Sequence, residues 1–247
     1  MDKDFCKGFI AFLKTCTFNN GKKTLGSTTC LIFMNRLAAA LNMAAREGLI
    51  DSNPFKLLDA KEKPQKKSAI CEFLTIEELR TLIATPCLYE IVKKAFLFPC
   101  FTGLRCSDMM ALKWSEIHKA ADGKTLYIEH EQVKTKNTVT IPLSNEALKW
   151  MPRKSKDRER VFHQLCITST TVKMVLGEWM QEAGIQKHIT YHCSRHTAAP
   201  LLLTLGADLY TVSKILGHQS IKMTEIYAKI VDKKKIETMN LVNNMFV

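Results

Sequence analysis

Apolar residues in this 247-residue chain recur every three or four positions along most of its length and switch to strict alternation once, between residues 125 and 142. Spacing near 3.6 gathers side chains on one face of a helix, and spacing of two gathers them on one face of a strand. Thr125-Leu-Tyr-Ile-Glu and Thr138-Val-Thr-Ile-Pro carry the alternation, with a basic loop around Lys134-Thr-Lys-Asn between them. That is a hairpin pattern. The chain is therefore expected to be mainly α with a small antiparallel β-sheet, an α+β fold.

Around the hairpin, the pattern predicts a helix from Asp4 to Cys16 with Phe5, Phe9, Phe12 and Leu13 on one face. A long helix follows, capped by Ser27 or Thr28, with Leu31, Met34, Leu37 and Leu41 as its stripe and Gly48 as its stop. Asn53-Pro54 reads as a turn. DAKEKPQKKSA, residues 59 to 69, has no apolar residue except alanine. It is expected to link a helical domain over 1–58 to a larger domain over 73–247, the linker spanning 59–72. Thr75 and Glu78 form a capping box for a helix over 76–84. A helix from Tyr89 is expected to end or bend at Pro99, and another to cover Leu104 to Lys113. Later helices are expected at about 145–151, 169–183, 192–205, 208–216, 220–229 and 233–245.

Charge narrows the partners. The net charge is +12 and the pI is near 9.3. Nucleic acid and anionic membrane are the usual ligands of so basic a chain. Lys61, Lys63, Lys66 and Lys67 in the linker, with Lys136 in the hairpin loop, are candidates for lying along a phosphate backbone. No apolar run approaches the roughly 18 residues of a membrane span. The nine cysteines have no CxxC spacing and no export signal before them, which predicts reduced thiols in the cytoplasm and no zinc finger.

Four local signals carry chemistry. Thr102-Gly103-Leu104-Arg105 places an arginine where a loop enters a helix, a position that favours an anion. Lys134 sits in the hairpin loop with Lys136 beside it. His192 and Arg195 lie three apart on one face near a helix N-terminus, where a histidine stays neutral at pH 7 and available as a base. The neighbouring His196 is expected to point inward. Leu216-Gly217-His218 puts a histidine on a glycine turn, nine residues before Tyr227. Each signal has an ordinary structural explanation. Together they suit transfer of a DNA phosphodiester to a tyrosine without metal. Two arginines clamp the nonbridging oxygens, a histidine accepts the tyrosine proton and a lysine protonates the leaving oxygen.

Arg105 in TGLRCSD, the hairpin VKTKNTVTIPL, HCSRH, LGH and the late Tyr227 resemble the tyrosine recombinase (phage integrase) family. LLLTLGADLYTVSKILGHQSIKMTEIYAKI is especially similar to integrases of bacterial conjugative transposons and related mobile elements. The resemblance covers residues 70 to 232 and implies a catalytic domain preceded by a partial helical core-binding domain. It implies that Arg105 and Arg195 bind the scissile phosphate, that Lys134 is the general acid with Lys136 as the alternative, and that His192 is base or proton shuttle. His218 then contacts the phosphate or leaving group, and Tyr227 is the nucleophile of a 3′-phosphotyrosyl intermediate. No cofactor or metal is implied. Double-stranded DNA is the implied partner, bound by a homo-oligomer up to a tetramer, with accessory DNA-bending or excision factors and no membrane.

The chain departs from the family pattern in three places. Ala198-Ala199-Pro200 follows HCSRH, and Pro200 is expected to kink its helix. The helical region before residue 58 is expected to be shorter than the family's core-binding domain, without an arm-binding domain before it. Truncation or Pro200 keeps open a non-catalytic DNA-binding remnant of an integrase, and the shared chemistry keeps open a relaxing enzyme of the type IB topoisomerase kind. Residues 233 to 247, KKKIETMNLVNNMFV, carry an apolar stripe expected to dock either on a neighbouring protomer or back on its own body.

Overall fold

The computed structural model describes residues 1–18, 21, 23–66, 72–154, 158–163, 165 and 170–227. It has two compact units, Met1–Ile70 and Cys71–Val247.

In the first unit, α1 (Lys3–Thr15) is capped by Asp2, whose carboxylate accepts from the Phe5 N–H at 2.9 Å. A two-residue antiparallel pair, β1 (Thr17–Phe18) and β2 (Lys23–Thr24), leads into α2 (Ser27–Arg46). The core is Cys6, Ile10, Met34, Leu41, Phe55 and Leu58. The buried stripe of α1 is thus Cys6, Ile10 and Leu13: of the expected face Leu13 is buried and Phe9 packs against the core, while Phe5 and Phe12 are exposed. The two stripes are adjacent on the helix, and α2 selects between them, with Cys30 Sγ donating to the Leu13 carbonyl at 3.4 Å. Gly26 is the N-cap of α2, and Ser27, the first residue of the helix, donates its hydroxyl to the Gln65 carbonyl at 2.7 Å. Gly48, at φ +72°, ends the helix as expected.

Asn53 caps a short 3₁₀ turn, Pro54–Leu57, and its side-chain amide donates to the Ala38 carbonyl and to Asn42, each at 2.9 Å. The following charged stretch is tied down rather than open. Glu62 lies 2.9 Å from Lys7 Nζ and 3.4 Å from Lys3 Nζ and accepts from the Asp59 N–H. The Lys7 ammonium, more than any other group, pulls the Glu62 carboxyl down to about 2. Lys61 and Lys66 remain exposed and Lys63 is half-buried, whereas Lys67 lies outside the described residues.

The second unit is built around a buried helix over Glu90–Thr102. The capping box of α3 (Ile76–Ala84) forms as expected: the Glu78 N–H donates to Thr75 Oγ1 and the Thr75 N–H to Glu78 Oε2. Helix α4 (Glu90–Thr102) is apolar nearly all round and buries Val92, Ala95, Phe96, Leu97, Phe98 and Cys100. Its one buried cation, Lys93, donates to the Ile83 and Thr85 carbonyls at 2.7 and 2.8 Å, at the negative end of α3. The helix does not end at Pro99. It runs one turn further, and Pro99 still accepts from the Gly103 N–H at 2.8 Å, so proline removes only its own donor.

Helix α5 is shorter than expected, Cys106–Ala111, with Leu104 and Arg105 before it. Strands β3 (Ile117–Lys119), β4 (Leu126–Glu131) and β5 (Thr138–Leu143) form one antiparallel sheet in that order, with Ile128 opposite both Ile117 and Ile141. The hairpin is the expected one; β3, three residues long, has too little sequence to show alternation. Helices α6 (Asn145–Lys149), α7 (Thr170–Glu182), α8 (Tyr191–Thr204) and α9 (Leu209–Leu216) follow. Helix α8 packs on α4, and Pro200 is buried inside it without ending it. The helix expected over 220–229 is replaced, as far as Tyr227, by two 3₁₀ turns, Ile221–Met223 and Glu225–Tyr227. The helix expected over 233–245 lies outside the described residues.

Candidate active site

Helix α4 terminates at Gly103, whose φ of +70° is a left-handed cap that glycine adopts without strain. A Cβ there would also come within 2.6 Å of Leu216 Cδ2. The turn delivers Arg105 to the N-cap of α5 in extended backbone. Its Nη1 lies 3.6 Å from Oδ2 of Asp108, a fully buried carboxylate. Asp108 Oδ1 accepts from the Val133 N–H at 2.9 Å and faces His130 Nε2 at 4.0 Å. His130 in turn meets Glu116 through Nδ1 at 2.8 Å. Arg105 Nη1, Asp108 Oδ2 and His130 Nε2 are buried without a hydrogen bond among the described residues. The arginine therefore keeps donor capacity that its own neighbours do not consume.

Tyr191 anchors the start of α8 by donating to the Val92 carbonyl of α4 at 3.3 Å. One turn on, the Arg195 guanidinium is buried and pinned at two points: Nη1 donates to the Gly103 carbonyl at 2.7 Å and Nη2 to the Leu216 carbonyl at 2.5 Å. Both acceptors lie at helix C-termini, where the backbone carries partial negative charge. Burial first, and then Arg105, lower the Arg195 pKa to about 10, while Asp108 and Tyr227 act in the opposite sense. It remains a cation at neutral pH.

The three histidines are held neutral. Burial, followed by Arg195, Arg105 and Lys134, lowers His192 below its ordinary value. Burial lowers His196 to about 4, with His192 and Arg195 adding to it. His218 is pushed to about 4 by burial, then by Arg195, Arg105 and His196. Gly217, at φ +61°, releases His218 from α9, and His218 Nδ1 meets Thr224 Oγ1 at 2.8 Å. Tyr227 is buried against Ala199, Leu203, Val212 and Leu216, with the Phe73 ring edge-on at 6.5 Å.

Arg105, His192, Arg195, His218 and Tyr227 are thus gathered in one region. Lys134 is exposed in the hairpin loop, close enough for its charge to act on His192. Lys136 adopts a left-handed backbone, φ +58°, and its ammonium lies 3.7 Å from Glu131, both groups exposed. The expectation for His196 needs correction. It does not simply point into the core: its Nδ1 lies 2.5 Å from the Tyr227 hydroxyl, and its ring stands edge-on to His192 at 4.5 Å between centroids. The i, i+4 spacing of His192 and His196 is the sequence signal that could have shown both on one face. Asp108 and Gln132 are both buried, and their bonds to the Val133 N–H and the Leu216 carbonyl join positions far apart in the chain, so local spacing carries no signal for them. No group of three or more His, Cys, Asp or Glu side chains among the described residues could hold a metal ion, and none of the described helices is long and apolar enough to cross a membrane.

Two family models match the chain: the phage integrase SAM-like domain over residues 1–64 and the phage integrase family over residues 72–234. Tyrosine recombinase XerD of Lacticaseibacillus casei is 29% identical over 237 residues, covering 89% of this chain and 76% of that protein. Among solved structures, the Tn1549 transposon integrase (residues 82–397) in complex with circular intermediate DNA superposes with a TM-score of 0.68 at 18% identity, over 92% of this chain and 80% of that one. A lambda integrase (75–356) dimer bound to a COC′ core site gives 0.66 at 20% identity, over 90% and 81%. At those identities the two structures speak to the fold alone, mostly helical with a small antiparallel sheet. The family model spans most of the second unit, including every residue from Arg105 to Tyr227, and the chain belongs to the phage integrase family of tyrosine recombinases.

Proposed function

We propose that this chain is a site-specific DNA recombinase that cleaves and rejoins duplex DNA through a 3′-phosphotyrosyl intermediate, without metal or ATP. The observation that carries the proposal is the Tyr227 hydroxyl bonded to a neutral histidine beside a buried, two-point-anchored arginine. Tyr227 Oη attacks the scissile phosphorus, forming the P–O(Tyr) bond as the P–O5′ bond breaks. The tyrosine proton passes to His196 Nδ1, with His192 as the adjoining shuttle, and Lys134 protonates the departing 5′-oxygen. An arriving phosphate favours protonation of both histidines, since a nearby anion raises the basicity that burial has lowered. Arg105 and Arg195 hold the nonbridging oxygens, and His218 contacts the same phosphate. The reverse sequence restores every proton, and the phosphotyrosine keeps the phosphodiester energy.

The same reading divides the chain into a core-binding domain over 1–58, a basic linker over 59–72 and a catalytic domain over 73–247. It assembles as a homo-oligomer, up to a tetramer, on DNA in the bacterial cytoplasm, with accessory factors. Lys61, Lys63, Lys66, Lys67 and Lys136 lie along phosphates. Duplex binding then weakens steeply with salt: six or more neutralised phosphates give a log–log slope steeper than about −5. A titration from low to moderate salt checks this, and a flat response refutes it.

The decisive experiment presents a pool of duplexes with randomised sequence and a nick near each possible cleavage position, in excess EDTA. The expected product is protein joined covalently to DNA, stable to denaturant and removed by protease. Sequencing the trapped DNA yields the target site. Adducts that need added magnesium or manganese point to a nuclease-like site. Salt-sensitive binding with no adduct from any duplex leaves the non-catalytic remnant as the correct reading.

A further inference from the structure

We infer that Gln132 is a positioning residue, which locks the loop carrying Lys134 to the carbonyl that holds Arg195. The inference rests on the proposed role of Lys134 as general acid.

Residues 132–137 connect β4 to β5, and Lys134 near their middle is exposed. A long side chain on such a loop samples many positions, and catalysis by it requires that the sampling be restricted. Gln132 supplies the restriction. It is 1% exposed, and its side-chain Nε2 donates to the Leu216 carbonyl at 3.2 Å, the same oxygen that accepts from Arg195 Nη2. Its Oε1 accepts from Thr135 Oγ1, the residue after Lys134, at 2.6 Å. Its backbone closes the loop, the N–H donating to the Asn137 carbonyl and the C=O accepting from the Lys136 N–H, both at 2.9 Å.

On the other side of Lys134, the Val133 N–H is held by Asp108, the carboxylate beside Arg105. The residues flanking Lys134 are therefore tied to both arginines, one through each neighbour. Glycine at 217 leaves room for this, since a Cβ there would collide with the Gln132 amide and Val139 Cγ1. A glutamine suits the position because one end must both donate and accept: glutamate lacks the donor, and asparagine is one carbon short.

The test exploits the leaving group. In the normal substrate the 5′-oxygen departs as an alkoxide and needs the Lys134 proton. In a duplex with a bridging 5′-sulfur, the P–S bond breaks to a thiolate, which is stable without a proton at neutral pH. Adduct formation is timed on both nicked substrates, using a sequence trapped from the randomised pool. Gln132→Met keeps the volume and removes both side-chain hydrogen bonds. It is expected to slow the oxygen substrate tenfold or more and the sulfur substrate less than threefold. Lys134→Ala should show the same selective rescue more strongly, whereas Arg195→Ala should be slow on both.

Equal slowing of Gln132→Met on both substrates, or none on either, beside a rescued Lys134→Ala, overturns the inference alone. An unrescued Lys134→Ala overturns the general-acid reading, and with it the purpose given to Gln132. Thr135→Val removes one tie without touching the Leu216 contact. If Gln132→Met melts too low to assay, Thr135→Val must show the same selectivity in milder form, and its absence refutes the proposal.

Discussion

Tyr227→Phe abolishes the covalent protein–DNA adduct and leaves duplex affinity within about twofold of wild type. Only the hydroxyl is lost, and the ring keeps its place against Leu203, Val212 and Phe73. A phenol with an ordinary pKa near 10 is a weak nucleophile at neutral pH, so its reactivity depends on the group that takes its proton. In the proposed mechanism that group is His196, whose Nδ1 lies 2.5 Å away. His196→Gln keeps a polar partner for the hydroxyl but no basic nitrogen. It should lower the rate of adduct formation by a factor of about 10²–10⁴, the usual range for a lost general base. Trapping on the nicked duplex measures both variants. An adduct from Tyr227→Phe would shift the nucleophile to Tyr89, Tyr127, Tyr191 or Tyr210. Wild-type rates in His196→Gln would return the proton to His192.

Arg195→Ala has the second large effect, and it acts in two ways. Removing a preorganised donor to the developing charge costs about 3 kcal/mol of transition-state stabilisation, more than a hundredfold in adduct rate. The Gly103 carbonyl also loses its side-chain donor, and among the described residues the Leu216 carbonyl retains Gln132. An unsatisfied buried acceptor costs about 1–3 kcal/mol, so the melting temperature should fall as well. Arg195→Lys tests the fork: a single ammonium cannot satisfy two carbonyls and a phosphate in one plane. Single-turnover rates and melting curves separate the two losses. A variant with unchanged rate on the trapped sequence would remove Arg195 from the site.

The sequence made much of this legible. Residue type and order pointed to Arg105, His192, Arg195, His218 and Tyr227, a set that few chemistries use together, and the fold gathers them in one region. The capping box at Thr75 and the glycine stops at 48 and 217 were visible because each is a local interaction within one helical turn. What stayed hidden depends on a distant partner. The α1 pattern offers Phe5–Phe9–Phe12–Leu13 or Cys6–Ile10–Leu13, and only the approach of α2 decides. Gln132 reads as one more polar loop residue until Leu216, 84 positions later, closes on it. His196 looked like a core histidine because its partner, Tyr227, is 31 residues away in a 3₁₀ turn and not on the helix that the pattern suggested.

The two carbonyls that hold Arg195 belong to the main chain, at the ends of α4 and α9. Every amino acid carries that carbonyl, so the anchor survives changes of side chain at the positions that provide it. Leu216 could drift to another apolar residue of similar volume without moving the guanidinium. The fixed points are instead Gly103 and Gly217, where left-handed backbone and close neighbours both oppose a Cβ. Related chains should therefore vary freely in the packing around this charge while keeping the two glycines, and a lineage that loses either one should lose strand exchange before it loses its fold.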